Sequence, residues 1–429
     1  MLQKAGLIAS FVAYAFNLLG ELAWGSIETK YRQIQFLSRP PLTEHGEIRN
    51  IVIIGASYAG YYTARAIASN LPPKSPYRVV IIEPHSHFHF TWVLPRCCVV
   101  DQEHKAFIPY GPFLKGAPEG RVRWVRDRVA KVDRDGVWLE KSREQVPYAF
   151  LVIATGAGAA EGLPSRVAAD SKAEGVALLQ EMQRNIRQAH RLVVVGGGAA
   201  GVELAADAKH KYPEKHITLV HSRKALMHRF GPGLQAAALQ GLEDLGVETI
   251  LQERTATSSI VEGHINLQSG RRIECDLLVN CTGQKPTSSF MAGLAPEAIS
   301  PTGTIRTKPT LQIQDEKLPN VYVCGDVAAV GIDNPNARSA IRQGMVVGYN
   351  VVREATGGSP TRTYNPFWGE GVIKLTLGLD KSISHVSDGK TELWWQSKET
   401  NRELMFAEAW KHLSVKPFED GDRAEKQVE

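Results

Sequence analysis

The feature that most constrains this chain is a plan that occurs twice: an apolar strand, a glycine turn and a helix. The first copy is Ile51-Val52-Ile53-Ile54-Gly55-Ala56-Ser57-Tyr58-Ala59-Gly60, followed by Tyr61 to Asn70, which has helix-like spacing and no proline. Four β-branched apolar residues predict a fully buried strand. Gly55 can turn the chain where a Cβ would clash, and Gly60 lets the helix pack close to the strand. The helix N-terminus then offers free N–H groups and the positive end of its dipole to a pyrophosphate. Ser57 stands where the usual pattern has its middle glycine; it is small and can donate a hydrogen bond to phosphate. Arg78 to Ile82 predicts the second strand. It ends in Glu83, about 20 residues beyond the turn, where such units carry a ribose-binding acid.

One such loop alone is a weak signal, and the second copy raises it. Leu192-Val193-Val194-Val195 leads into Gly196-Gly197-Gly198-Ala199-Ala200-Gly201, and Val202 to His210 can be helical. Gly196, Gly198 and Gly201 hold all three required positions. After the second strand, His216 to Val220, the ribose position is His221, followed by Ser222-Arg223. An acid there would favour NADH, because it accepts hydrogen bonds from both ribose hydroxyls. His-Ser-Arg instead offers donors and positive charge for a 2′-phosphate. NADPH, or use of both coenzymes, is therefore expected; a merely solvated Arg223 is the alternative. Each unit closes in the same way, Leu151 to Gly156 ending Thr-Gly and Leu277 to Gly283 ending Thr-Gly. This is an internal duplication of plan. Val321-Tyr322-Val323-Cys324-Gly325-Asp326 is a further strand, with a carboxylate at the mouth of the first unit.

Between these motifs, Arg121 to Leu139 alternates apolar and polar residues and is expected to form a small β-meander. His85, His87 and His89 alternate, which invites a metal reading, but no Cys or acid pattern completes a site. Packing near the cofactor or substrate is the expectation. Arg96 is expected either over the cofactor or at the surface. Cys97 and Cys98 are adjacent, with no C-x-x-x-x-C redox pair, and are read as buried thiols. None of the five cysteines forms a C-x-x-C, which suggests a reducing compartment. The net charge of +5 is spread along the chain with no long basic block, so nucleic-acid binding has no support.

The N-terminus is apolar. Ala5 to Gly20 carries no charge, and Leu22 to Trp24 continues it after Glu21. A full membrane span needs about 20 apolar residues, so the length is borderline. Apolar residues lie all round the helical wheel, which disfavours a surface-lying amphipathic helix. A membrane anchor or hydrophobic targeting segment is expected, against a buried core helix or a cleaved segment. Arg32 is the first arginine, which argues against an arginine-rich presequence. The tail aromatics Trp394, Trp395, Phe406 and Trp410 are expected to pack on the body, pair two subunits as a homodimer, or touch a membrane.

Taken together, Gly55 to Gly60, Ala154-Thr155-Gly156, Gly196 to Glu203, Thr282-Gly283 and Gly325-Asp326 resemble the two-dinucleotide-binding flavoprotein superfamily. Within it the chain resembles the apoptosis-inducing-factor-like, ferroptosis-suppressor-like branch, related to type II NADH dehydrogenases. The segment Phe88 to Val99 also resembles this branch, and the likeness runs from Ile51 to Leu413. It implies an α/β fold with two Rossmann-like domains and a small α+β C-terminal domain. The FAD domain would be 51–160 and 285–360, the NAD(P)H domain 161–284 and the C-terminal interface domain 361–429. Residues 1–25 would be the anchor or targeting segment and 26–50 a linker.

The resemblance implies non-covalent FAD, with Gly55, Ser57 and Gly60 on the pyrophosphate and Glu83 on the adenosine ribose. Arg96 and Val129 would contact the adenosine side, Asp326 the ribityl chain, and Gly156 and Gly283 would close the two units. Gly196, Gly198, Gly201, Ser222 and Arg223 would hold NAD(P)H, and Glu203 would be the acid near the nicotinamide. The expected activity is hydride transfer from NAD(P)H to FAD, then electron transfer to a quinone-like acceptor that meets the flavin directly. Alternatives are an NADPH-dependent flavin oxidase or monooxygenase acting on a small molecule, a redox-sensing cell-death or assembly flavoprotein, and a reductase for an electron-carrier protein. Membrane association through residues 5–24 is expected, mitochondrial in one version, with a cytoplasmic protein as the alternative.

Overall fold

The computed structural model describes residues 6–14, 16, 20, 27, 30, 31, 34, 48–159, 164–257, 259–399 and 404–420. Most of the expected anchor and linker, 1–25 and 26–50, lies outside the described residues.

The valine- and isoleucine-rich runs form two all-parallel sheets. β1 (Arg49–Ile54), β2 (Tyr77–Ile82), β3 (Val122–Val125) and β4 (Phe150–Ile153) belong to the first. β5 (Arg191–Val195), β6 (His216–His221), β7 (Glu248–Leu251) and β8 (Leu277–Asn280) form the second. The chain then returns, and β9 (Val321–Val323) pairs with β4, Val321 opposite Leu151. The orders are β9-β4-β1-β2-β3 and β7-β6-β5-β8. A parallel sheet is covered on both faces, which is why its strands read as unbroken apolar runs. In β1, Ile51 and Ile53 face a core that includes Tyr61 and Ile67, while Val52 and Ile54 pack with Val132 and Val137 on the other side.

One expectation needs correction. Val122–Val125 is not part of the meander but the edge strand β3, with Val122 opposite Val79 of β2. The meander is Val129–Val132, Val137–Leu139 and Gln145–Val146. An alternating run suits either position, and the neighbouring strand decides.

The helices are α1 (Tyr58–Asn70), α2 (Lys172–Gln188), α3 (Ala199–Lys211), α4 (Pro232–Leu245), α5 (Ala337–Ala355) and α6 (Phe406–His412). α1 and α5 lie unusually close. A Cβ on Gly344 would stand 2.4 Å from the Ala59 carbonyl oxygen, and one on Gly348 would stand 2.5 Å from Ala66 Cβ. Thr63 Oγ1 bridges the pair by donating to the Gly344 carbonyl at 3.0 Å. Asn336 caps α5 and fixes where its N-terminus begins.

β10 (Ile373–Thr376), β11 (Lys381–Ser387) and β12 (Glu392–Lys398) form an antiparallel sheet against the second unit. Phe406 and Trp410 are fully buried, and Trp410 Nε1 donates to the Lys105 carbonyl at 2.8 Å; Trp394 and Trp395 stay exposed. At the other terminus, Leu7 is buried and Tyr14 stacks on Phe367 with ring centroids 3.6 Å apart. Among the described residues no helix is long and apolar enough to cross a membrane.

Candidate active site

The two glycine turns have the same geometry. Gly55 and Gly196 adopt φ of +92° and +117°, a region that favours glycine. A Cβ on Gly60 would stand 1.8 Å from the Gly55 carbonyl oxygen, and one on Gly201 would stand 1.9 Å from that of Gly196. Each helix therefore starts hard against its turn. Ser57 and Gly198 are the N-cap residues of α1 and α3, and neither bonds its helix through a side chain. Two open helix N-termini behind glycine turns fit two pyrophosphates.

The rest of the first unit converges on its turn. Gly325 sits with its Cα against α1, where a Cβ would be 3.1 Å from Ala59 Cβ, and its N–H donates to Gln343 Oε1 of α5 at 2.8 Å. Asp326 follows, partly buried; burial pushes its pKa up, and Arg166 at 3.6 Å opposes that. Arg166 also donates to the Ala157 carbonyl at 3.1 Å and to Gln284 Oε1 at 3.2 Å. Those partners belong to the ribbon where the two Thr-Gly exits meet. Gly156 and Gly283 turn with φ of +62° and +79°, and Ala157–Ala159 pairs antiparallel with Gln284–Pro286. Arg166 carried no sequence signal.

The two positions read from the sequence as ribose-binding are structurally equivalent. Glu83 Oε2 accepts the Ala56 N–H at 2.6 Å, and Oε1 accepts the His85 N–H at 3.0 Å. Burial alone would raise the Glu83 pKa, but His85 and the N–H donors outweigh it and hold it below the usual range. In the second unit His221 Nδ1 accepts the Gly197 N–H at 3.0 Å. Ser222 beyond it is half-buried and Arg223 is exposed. His89 is half-buried, and desolvation with the nearby His85 drives its pKa down to about 3. His87 meets Asp420 at 3.3 Å. Among the described residues no group of three metal-ligating side chains comes together.

Glu203 lies in the first turns of α3, buried, with Oε1 accepting the Thr376 N–H of β10 at 3.1 Å. Desolvation, reinforced by Asp207 and opposed by Arg96, pushes its pKa up to about 8. It lines a small cleft with Trp92, Arg96, Lys374, Thr376 and Met405. Arg96 is not at the surface but buried: Nε donates to Asp207 Oδ2 at 2.5 Å and a terminal nitrogen to the Gly378 carbonyl at 3.1 Å. A buried cation takes the nearest buried anion, and here that anion is on α3. Asp207 was missed, although its place one turn beyond Glu203 on the same helix face was readable. Val129 begins the first meander strand, half-buried. Cys97, Cys98, Cys275 and Cys324 are free thiols, and burial lifts the Cys97 and Cys98 thiols well above their usual range.

A family model described as pyridine nucleotide-disulphide oxidoreductase matches residues 49–344. Fe-regulated protein 8 of Mycosarcoma maydis is 30% identical over 371 residues, covering 80% of this chain and 90% of that protein. Ferroptosis suppressor protein 1 of Xenopus tropicalis is 28% identical over 375 residues, covering 85% and 95%. The sulfide:quinone oxidoreductase of Aquifex aeolicus shares the fold, with a TM-score of 0.69, 14% identity and coverage of 87% of this chain and 93% of that one. The matched glycine turns and these likenesses lead to one conclusion: the chain belongs to the pyridine nucleotide-disulphide oxidoreductase family and is a flavoprotein oxidoreductase that uses FAD and NAD(P)H.

Proposed function

We propose that the protein passes electrons from NAD(P)H, with NADPH preferred, through FAD to a quinone-like acceptor at a membrane surface. The observation that carries this reading is the cleft at Glu203. It joins a buried carboxyl to the apolar side chains of Trp92 and Met405, and the two thiols nearest to it in sequence are too buried to relay electrons. Bound FAD supplies the redox chemistry, taking a hydride from the coenzyme and giving electrons to the acceptor. The Gly55–Gly60 turn and the α1 N-terminus hold the flavin pyrophosphate, Glu83 the adenosine ribose and Asp326 the ribityl chain. Gly196, Gly198 and Gly201 hold the coenzyme, with Ser222 and Arg223 at its 2′-phosphate. Glu203 is mostly protonated at neutral pH, so it meets the nicotinamide as a neutral hydrogen-bonding group. The name of the Aquifex relative specifies a quinone, and the apolar N-terminal segment suits an acceptor dissolved in lipid.

The test is an anaerobic titration of the flavin-loaded protein with NADPH or NADH, followed by a short-chain quinone. Bleaching of the flavin by NADPH and prompt recovery with quinone are expected. Recovery with oxygen but not quinone would overturn the acceptor and favour the oxidase reading.

A further inference from the structure

Three titratable side chains lie in a row along α3. Glu203, Asp207 and His210 are four and three residues apart, the spacing that stacks side chains on one helix face. The row runs from the inside of the protein to its surface. Glu203 is buried and lines the cleft, and Asp207 is buried behind it. His210 is half-buried, and its Nδ1 meets the carboxylate of the partly exposed Asp380 at 3.6 Å.

Gly378 joins the outer members of the row. Its carbonyl accepts from Arg96, the partner of Asp207, at 3.1 Å, and a Cβ on it would stand 2.8 Å from His210 Nδ1. The imidazole therefore packs on the residue that Arg96 grips. His210 acts on Asp207 electrostatically, and with Arg96 it opposes the rise in pKa that burial imposes there. Asp207 Oδ1 and Arg96 Nη1 are buried without partners, so hydrogen-bonding capacity is left over in the middle of the row. Two buried carboxyls one turn apart repel when both are charged. Arg96 pairs with Asp207, and Lys374 across the cleft is turned to Glu399 at 2.5 Å, so Glu203 is the one that holds a proton.

Reduction of a quinone needs a route for protons. The acceptor takes two electrons and two protons to become a hydroquinone. The hydride of NAD(P)H supplies both electrons and one proton, and the second proton comes from water. Trp92, Leu404 and Met405 wall the cleft with apolar surface, whereas α3 leads out of it through titratable groups.

We propose that Glu203, Asp207 and His210 form a proton relay along α3, carrying a proton from solvent at His210 to the acceptor in the Glu203 cleft. This rests on the reading of that cleft as the acceptor site. Glu203 gives its proton to a quinone oxygen, forming one O–H bond of the hydroquinone. Asp207 then reprotonates Glu203, and His210 reprotonates Asp207 and takes a proton from water.

The test compares quinone with ferricyanide, which takes electrons and no proton, as acceptors for the NADPH-reduced protein. His210→Ala is expected to slow reoxidation by quinone by roughly tenfold or more, to leave ferricyanide unchanged, and to recover with added imidazole. His210→Gln keeps the polarity without the proton transfer; it is expected to match His210→Ala, and it carries the test if the alanine variant does not fold. A second readout needs no turnover. The infrared band of the protonated Glu203 carboxyl, identified by its loss in Glu203→Gln, is expected to exchange with heavy water more slowly in His210→Ala. Equal slowing with both acceptors, an unchanged quinone rate, or unchanged exchange would overturn the relay. Wild-type protein that reduces ferricyanide but not quinone would overturn the acceptor reading and the relay with it.

Discussion

Arg96 Nε donates to Asp207 Oδ2 at 2.5 Å with both side chains buried, and this one pair joins three parts of the chain. Arg96 comes from the helical turn Leu94–Cys97 between β2 and β3, Asp207 from α3, and the second Arg96 bond ends on Gly378 in the turn between β10 and β11. The pair is incompletely satisfied, since Arg96 Nη1 and Asp207 Oδ1 have no partner. Buried pairs of this kind add little over apolar residues, but removing one partner strands the other charge. Asp207→Leu is therefore expected to destabilise the protein by about 3–5 kcal/mol. The double substitution Arg96→Met with Asp207→Leu is expected to recover much of that loss. Denaturant unfolding of all three proteins checks this; a double variant no more stable than the single one would show that the pair is not acting as a strut.

Glu203 makes the stability of the protein depend on pH. Its carboxyl is raised from an ordinary 4.5 to about 8, so the native state holds a proton that the unfolded chain releases between those values. Stability then falls as pH rises through that window, because the native state binds more protons. Asp207 is shifted the same way and adds to the slope. Glu203→Gln is expected to flatten its share of the dependence and, if Glu203 has the proposed place beside the nicotinamide, to slow anaerobic flavin reduction. Unfolding midpoints from pH 5 to pH 8 and stopped-flow reduction rates measure the two effects separately. An unchanged rate would remove the catalytic role and leave only the linkage.

Much of the fold was legible because a few positions have a single physical solution. A Cβ on Gly60 or Gly201 would lie within 2 Å of a carbonyl oxygen, so those glycines announce the turn. Ile51 to Ile54 read as a buried strand because both its faces are covered. What escaped depended on neighbours far along the chain. The alternation of Val122–Val125 is the same in a meander and at a sheet edge, and only pairing with β2 distinguishes them. The counter-ion of Arg96 lies 111 residues away. Arg166 sits in no pattern, yet it bridges Asp326 to the ribbon between the units. His221 was readable as a missing acid, but not as a ring with one fixed tautomer.

The matched glycine turns predict separable losses. In Gly60→Ala the new methyl collides with the Gly55 carbonyl, and backbone cannot yield as a side-chain tip can. The same collision in Gly201→Ala falls on the Gly196 carbonyl. Gly60→Ala is expected to purify with little FAD. Gly201→Ala is expected to retain FAD but bleach slowly with NADPH even at high coenzyme concentration. Visible absorbance after purification and anaerobic reduction distinguish them. Loss of flavin from both variants to the same degree would mean that the turns are not independent sites.

Arg223 is exposed just beyond β6, free of the burial that fixes His221, and can reach a 2′-phosphate as a charged donor. A hydrogen bond to a charged group is worth about 1.5–3 kcal/mol, so Arg223→Ala is expected to weaken NADPH by roughly tenfold to a hundredfold. NADH carries no 2′-phosphate and is expected to change by less than about twofold. Because the contact is solvent-exposed, the difference between wild type and variant should shrink as salt rises and the Debye length falls from about 8 Å toward about 3 Å. Coenzyme titrations of flavin reduction at low and high salt measure both effects. A loss that is equal for NADPH and NADH, or that does not respond to salt, would place Arg223 outside the phosphate site.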